Sequence, residues 1–462
     1  MSVAATELGT GSPWRRPYGR TTAGIFALTF LMAFEALAVA AVMPRVALEL
    51  DGLRWYAIAF SAPIAASIVA LVIAGAAIDR RGPGPALVVG LVVFCAGVVV
   101  AGLAPTMPIF LCGRLGHGLG AGVLGVALYV IVAQAYPDDL RAKAFVAVTA
   151  AWVLPALVGP VIAASVADTV GWRWVFLGVP VLAVGAWLLV RSAPSRPRSS
   201  SSGGSGGRKR LGTAMVAAAG VLAVSVGGQR IVRAWPVLIV AGLFAIVIAG
   251  RRLLPPGSWS ARRGLPSVVG ARGLIGAAFA SAEVYVPLLL TLGRGLTLAE
   301  AGWVLTIGAV AWSGGSWLAA HWGVLADETV RVRLGAVLLS AGVGGFASVG
   351  LAGVPVLLPM ALWGFAGLGI GMAFSTLSVL GLGYAPAGEE GRVSSALQLN
   401  DYLMQSTALA LGSVVFALAG SDPVAVAVPL VLAAGMLSLL ALVPAWRLRS
   451  PASVQCGSTA VL

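Results

Sequence analysis

Fourteen apolar runs follow one another along the chain, near 22–44, 56–78, 84–104, 107–134, 143–167, 173–190, 212–228, 234–250, 268–292, 299–322, 334–353, 355–384, 394–419 and 424–446. Each approaches the roughly 20 residues with which a helix crosses the ~30 Å hydrocarbon core of a bilayer. In that solvent every backbone N–H and C=O must find its partner within the segment, so such runs fold as transmembrane helices. Composition agrees, with 59% of the 462 residues hydrophobic and 10% charged, a balance foreign to soluble domains. The expected fold is an all-α membrane protein. No cleavable leader is expected, because the first run is too long for one and carries a central glutamate, Glu35.

A second glutamate, Glu283, lies 248 positions after Glu35, and the same offset sets Trp55 on Trp303, Gly75 on Gly323, Asp79 on Asp327 and Tyr136 on Tyr384. The second half replays the first. Two further runs stand between the halves, and a pair preserves parity, so both halves enter the membrane from the same side as parallel repeats. The expected organisation is a cytoplasmic tail (1–21), a six-helix bundle (22–191), a flexible linker (192–211), two additional transmembrane helices (212–250), a basic cytoplasmic loop (251–267), a second six-helix bundle (268–447) and a cytoplasmic tail (448–462). The linker rests on the Ser199 to Gly207 stretch, which reads SSSSGGSGG.

Alternate loops assigned to the cytoplasm collect 23 of the 30 basic residues, which places both termini inside by the positive-inside rule. Among the 23 are Arg80, Arg81, Arg272 and Arg392, while Arg230 falls outside. The net charge of +14 then reflects topology and attraction to anionic lipid. No basic patch interleaved with aromatics occurs on a soluble domain, so nucleic acid is not an expected partner. The Ala, Gly, Val and Arg bias suggests a GC-rich bacterial genome, hence a bacterial cytoplasmic membrane.

Cys95, Cys112 and Cys456 form no spaced set, and His117 and His321 are the only histidines, so neither a disulfide framework nor a metal site is expected. No cluster of His, Cys or carboxylates supplies a catalytic centre, and neither Lys143 nor Lys209 follows a phosphate-binding loop. The chain is not expected to be an enzyme or to hold a cofactor. Uphill transport would draw on an ion gradient, and protons suit carboxyl groups held away from water. Of the 16 acidic residues, Glu35, Glu283 and Asp401 lie well inside runs and are the proton-coupling candidates.

Counting residues from the nearer run ends, at 1.5 Å each, sets Arg114 at a depth similar to that of Glu35. A buried arginine without an anion is costly, so a Glu35–Arg114 pair is expected. The position equivalent to Arg114 falls near Trp363, which leaves Glu283 without an arginine. His117 follows Arg114 by one turn and is expected beside the same site. Tyr129, Trp152, Tyr285, Gln398 and Tyr402, with His117, are the residues expected to line a substrate cavity.

Glycines mark where helices approach or slide. Gly116, Gly118, Gly120 and Gly122 alternate around His117, and Gly367, Gly369 and Gly371 repeat the pattern. Gly75 to Gly82 set Asp79, Arg80 and Arg81 in a short turn, and Gly159-Pro160 should kink the fifth helix.

These stretches together resemble the major facilitator superfamily, and within it the fourteen-helix drug:proton antiporters. Gly75 to Gly82 resembles the signature between helices two and three, in which the aspartate, here Asp79, caps a neighbouring helix and holds the outward-open state; Pro83 to Pro85 replace the usual basic residues. Arg114-Leu-Gly-His117-Gly118 resembles the helix-four signature linked to proton coupling, with His117 where glutamine is common. Gly159-Pro160 resembles the helix-five antiporter signature, with Pro155 and Ala163 where glycine is usual. Gly171-Trp172-Arg173-Trp174-Val175-Phe176 resembles the start of helix six. The resemblance implies a monomeric, proton-coupled exporter of small amphipathic compounds such as drugs or antibiotics, working by alternating access. Gly75, Asp79, Arg80, Gly82, Gly159 and Pro160 would gate the conformations, with Glu35 as principal coupling residue and Glu283 as a secondary site. An importer or facilitator, or a lipid or glycolipid flippase, would use the same fold.

Overall fold

A computed structural model of the chain describes residues 12–191, 193, 205–229, 233–321, 327–384, 390–418 and 422–448. The expected loop glycine Gly323, Arg230, most of the 192–211 linker and both extreme termini lie outside the described residues, as does the side chain of Arg392. Among the described residues fourteen helices have 18 residues or more: α1 Gly19–Glu49, α2 Ile58–Arg81, α3 Pro83–Gly102, α4 Met107–Ala135, α5 Asp138–Thr169, α6 Arg173–Val190, α7 Ser205–Gly228, α8 Trp235–Leu253, α9 Leu265–Arg294, α10 Leu298–His321, α11 Glu328–Phe346, α12 Leu357–Gly383, α13 Glu390–Leu418 and α14 Pro423–Leu440. Twelve are long and apolar enough to cross a membrane. The remaining two, α10 with 24 residues and α13 with 29, have the length but are not among those twelve.

Short-range chemistry sets the helix ends. Gly82 alone separates α2 from α3, at φ 79° and ψ 171°, a conformation open to glycine at little cost. Pro83 then occupies the first position of α3, where its missing N–H costs nothing. Gly295, at φ 67°, ends α9 in the left-handed region, with its N–H on Thr291 O at 3.0 Å and the Leu296 N–H on Leu290 O at 3.1 Å. A reciprocal capping box opens α10: Thr297 N–H donates to Glu300 Oε2 at 2.8 Å and Glu300 N–H to Thr297 Oγ1 at 3.2 Å. Asp327 caps α11 through the Thr329 N–H at 2.7 Å, and Thr329 holds the Asp327 carboxyl below the usual carboxylate range by hydrogen bonds from its side chain and amide.

Three local expectations are corrected. Helix α1 does not stop at Pro44 but carries the proline within it and continues to Glu49. Asp79, Arg80 and Arg81 do not form a turn; they occupy the last turn of α2, and the reversal is confined to Gly82. Helix α7 begins at Ser205, inside the serine–glycine stretch expected as linker.

Helices α1 to α6 pack on one another and α9 to α14 repeat the same partnerships. Thus α4 packs on α2 and α3 as α12 does on α10 and α11, and α1 packs on α5 and α6 as α9 does on α13 and α14. Tyr136 and Tyr384, matched by the 248-residue offset, each follow the last residue of their helix, α4 and α12. The glycine stripes are the contact surfaces. A methyl group at Gly118 would overlap the Pro63 carbonyl, one at Gly120 the Phe94 backbone, one at Gly367 the Gly308 carbonyl and one at Gly371 the Trp312 carbonyl. Ser67 Oγ uses the same approach to donate to Gly118 O at 2.8 Å. Helices α7 and α8 form a pair against α2 and α13.

Candidate functional site

Helices α1, α2 and α4 meet around one buried charged cluster. Arg114 of α4 donates through Nη1 to Glu35 Oε1 of α1, and through Nε to the backbone carbonyl of Ala59 on α2 at 3.2 Å. His117 sets Nε2 2.5 Å from Glu35 Oε2 and packs its ring 5.1 Å from that of Phe94. All three side chains are buried. The expected pair is present, and His117 touches the carboxylate itself instead of standing behind it. Close approach makes this possible: a Cβ on Gly97 of α3 would overlap the His117 backbone.

The second half holds an ion pair of its own. Arg272 lies seven residues after the start of α9, and its Nε stands 3.0 Å from Asp401 Oδ2 on α13. Its Nη1 donates to Ser378 Oγ at 2.6 Å, and its guanidinium sits 4.0 Å above the Phe374 ring. Tyr129 of α4 lies within electrostatic reach of Arg272 on α9, and Tyr402 of α13 within reach of Tyr129 and of its neighbour Asp401. Tyr129, Tyr402 and the Arg272–Asp401 pair therefore come together, while Gln398 lies half-buried one turn before Tyr402. The missed signal was available: Arg272 falls within the apolar run 268–292, where a charge demands a partner.

Glu283 makes no hydrogen bond or ion pair among the described residues and is half-buried. One turn before it, Phe279 stacks on Trp363 at 5.0 Å and meets Trp312 edge-on at 5.3 Å. The place that Arg114 takes in the first half is aromatic in the second.

Tyr285 and Trp152 do not join these groups. Tyr285 is buried in a stack with Tyr56 at 6.2 Å and Phe416 at 6.0 Å, and the Tyr56 hydroxyl donates to Val284 O at 2.9 Å. Trp152 lies on an exposed face of α5 without a ring contact among the described residues. The stack joins the two helix groups through Tyr56 of the α1–α2 connection, Tyr285 within α9 and Phe416 near the end of α13. At the same level Thr306 Oγ1 of α10 donates to Leu157 O of α5 at 3.0 Å, and a Cβ on Gly302 would meet Pro160 O at 3.0 Å. Pro160 thus sits where α5 meets α10, while the adjoining Gly159 faces Phe34 of α1. Asp79 and Arg80 are exposed, Asp79 forms no hydrogen bond among the described residues, and nothing lies within 4 Å of a Cβ on Gly75.

A bundle of long apolar helices in two like-packed groups, with ion pairs buried among them, is the architecture of a membrane carrier. The sequence profile of the Major Facilitator Superfamily matches residues 25–409, and the chain belongs to that family. It is 25% identical over 92% of its length to a protein of Mycobacterium tuberculosis named "Probable multidrug-efflux transporter", of which it covers 94%. It is 26% identical to the Bacillus subtilis multidrug transporter protein MdtP over 49% of this chain and 42% of that one. Among solved structures, a POT family transporter in complex with 5-aminolevulinic acid superposes with a TM-score of 0.68 at 16% identity, covering 94% of this chain and 98% of the other. A D-xylose-proton symporter gives a TM-score of 0.64 at 15% identity over 94% and 98% of the two chains. At these identities the structural likeness concerns the fold.

Proposed function

We propose that the chain is a proton-coupled exporter of small amphipathic compounds, a drug:proton antiporter of a bacterial cytoplasmic membrane. The reading takes all fourteen long helices as membrane crossings, in two parallel six-helix repeats with α7 and α8 between them, both termini cytoplasmic and the protein monomeric. The observation that carries it is the Glu35–Arg114–His117 cluster, a carboxylate buried between three helices and held by a guanidinium that also grips the Ala59 carbonyl. A proton on Glu35 removes the charge that holds Arg114, and the link among α1, α2 and α4 loosens. In this orientation we read the Tyr56–Tyr285–Phe416 stack and the α5–α10 contact as the outer closure of an inward-facing state. Glu283, Asp401 and Arg272 line the second half of the path and take part in proton or substrate handling. Gly75, Asp79, Arg80 and Gly82 act in the other conformation, where α2 meets its neighbours differently.

The relatives named as multidrug transporters support a chemically broad cargo. The energy suffices: about 2.3 kcal/mol per charge per 100 mV exceeds the 1.4 kcal/mol of a tenfold gradient. The test is uptake of antibiotics and lipophilic dyes into inverted membrane vesicles carrying the protein, energised by respiration and then treated with a protonophore. Accumulation that collapses with the proton gradient supports export; uptake in the opposite sense, or translocation of labelled phospholipid alone, replaces it with an importer or a flippase.

A further inference from the structure

The α7–α8 pair covers one of the two seams between the helix groups and leaves the other uncovered. On the covered side Ala65 and Ile68 of α2, Val221 of α7, Ile246 of α8 and Leu403 of α13 form an apolar core distinct from the main one. Polar contacts fix the pair to the first helix group. Ser225 Oγ lies 3.3 Å from Ser61 Oγ of α2, and Gln229 Nε2 donates to the Arg54 carbonyl at 3.1 Å. Toward α13 the surface is small and apolar, with Gly228 against Val414.

The 248-residue offset carries Ser61 and Ala65 of α2 onto Ala309 and Ser313 of α10. Ser61 and Ala65 are 0% exposed beneath α7, whereas Ser313 is exposed and Ala309 partly so. Among the described residues nothing plays the part of α7 on that side. There α5 and α10 touch through Leu157, Pro160, Gly302 and Thr306, and the same helix faces open out one to three turns further on. Leu154 of α5 is 45% exposed, and Val310 and Trp317 of α10 are 55% and 62% exposed. An apolar groove of about 610 Å³ between α10 and α12 includes Thr306 in its lining, with Trp303, Val310 and Phe365. The groove is therefore continuous with the α5–α10 seam.

Resting on the transport reading above, we propose that α7–α8 is a lateral seal. It closes the α2–α13 seam to lipid, so that amphipathic compounds dissolved in the bilayer reach the interior from one side only, through the α5–α10 seam, with the α10–α12 groove as antechamber. Because its hydrogen bonds go to α2 and the Arg54 loop, the pair travels with the first helix group and lets α13 slide past its smooth face. This gives the two additional helices a task that the six-plus-six core does not perform.

Two measurements on the full-length protein test the seal. Spin labels on single cysteines at Ala65, Leu403, Leu154 and Ser313, in a background free of the native cysteines and reconstituted in nanodiscs, report collision with dissolved oxygen, which concentrates in lipid. Accessibility several-fold higher at 154 and 313 than at 65 and 403 is expected; equal accessibility overturns the seal whether or not the protein transports anything. Uptake of the bilayer-partitioning dye Hoechst 33342 into inverted vesicles is then compared for Leu154→Trp, Ser313→Trp and Val240→Trp, the last on the lipid-facing side of α8. A several-fold loss for the two seam variants, with Val240→Trp near wild type, supports one-sided access. Equal rates in all three contradict it, while dye that is not moved even by the wild type counts against the transport reading and leaves the oxygen measurement to decide the seal.

Discussion

Arg272 Nε and Asp401 Oδ2 stand 3.0 Å apart across α9 and α13, so the second half of the chain has its own acid–arginine pair, at a different register from Glu35 and Arg114. Asp401→Asn leaves the guanidinium on Ser378 and Phe374, whereas Arg272→Gln leaves a buried carboxylate without its cation. The arginine variant is expected to lose more thermal stability, and the double variant to recover part of the loss, since a stranded partner costs more than an absent pair. Melting curves in detergent across the four-protein cycle check this; additive losses would show that the pair is not coupled.

The first-half pair is buried more deeply and should be less forgiving. Arg114→Ala strands Glu35 and the Ala59 carbonyl together, and a loss of about 3–5 kcal/mol is expected. Arg114→Lys keeps the charge but loses the planar fork whose Nε and Nη1 reach Ala59 and Glu35 from separate atoms, so it should fall between alanine and wild type. Folded yield and melting temperature after solubilisation measure the order; a lysine variant as stable as wild type would remove the Ala59 contact from the account.

Two glycines separate packing from gating. Gly118→Ala forces a methyl against the Pro63 carbonyl and should cost about 1–3 kcal/mol of stability, as overpacking does. Gly75 has nothing within 4 Å of an added Cβ, so Gly75→Ala should match or exceed wild-type stability by up to about 1 kcal/mol while slowing transport. Melting and vesicle uptake on the same preparations decide; a destabilised Gly75→Ala with normal transport reverses the assignment.

Asp327 offers a pH signature outside the membrane-spanning segments. Its carboxyl is held below the ordinary range by Thr329, so its contribution is present above the unfolded carboxylate pKa, near 4, and is lost as pH falls through the lower folded value. Asp327→Ala is expected to cost about 1 kcal/mol at neutral pH, and Asp327→Asn less. The difference between wild type and the alanine variant should shrink below about pH 4; a difference independent of pH would mean that the charge is irrelevant.

Much of this was legible in the chain because a bilayer admits few solutions. Each of the fourteen apolar runs overlaps one long helix, and Glu35 meets Arg114 because a buried guanidinium without an anion is costly. What escaped notice depended on side-chain reach and helix phase. Arg272 was placed in a loop because its run began only a few residues earlier, yet α9 starts at Leu265 and carries it inward. Tyr285 was grouped with the cavity by residue type, whereas its helical phase turns it toward Tyr56 and Phe416. Neither the Tyr56 bond to Val284 nor the side on which α7 docks leaves a periodic trace in sequence, since both join segments more than 150 positions apart.

The most direct test of the central claim is substrate-triggered proton release from inverted vesicles, recorded with a lumenal pH dye for wild type, Glu35→Gln and Glu283→Gln. Release on addition of a transported compound is expected in wild type, absent in Glu35→Gln and diminished in Glu283→Gln. If both variants move substrate and protons at wild-type rates, coupling does not pass through these carboxyl groups and the account is wrong.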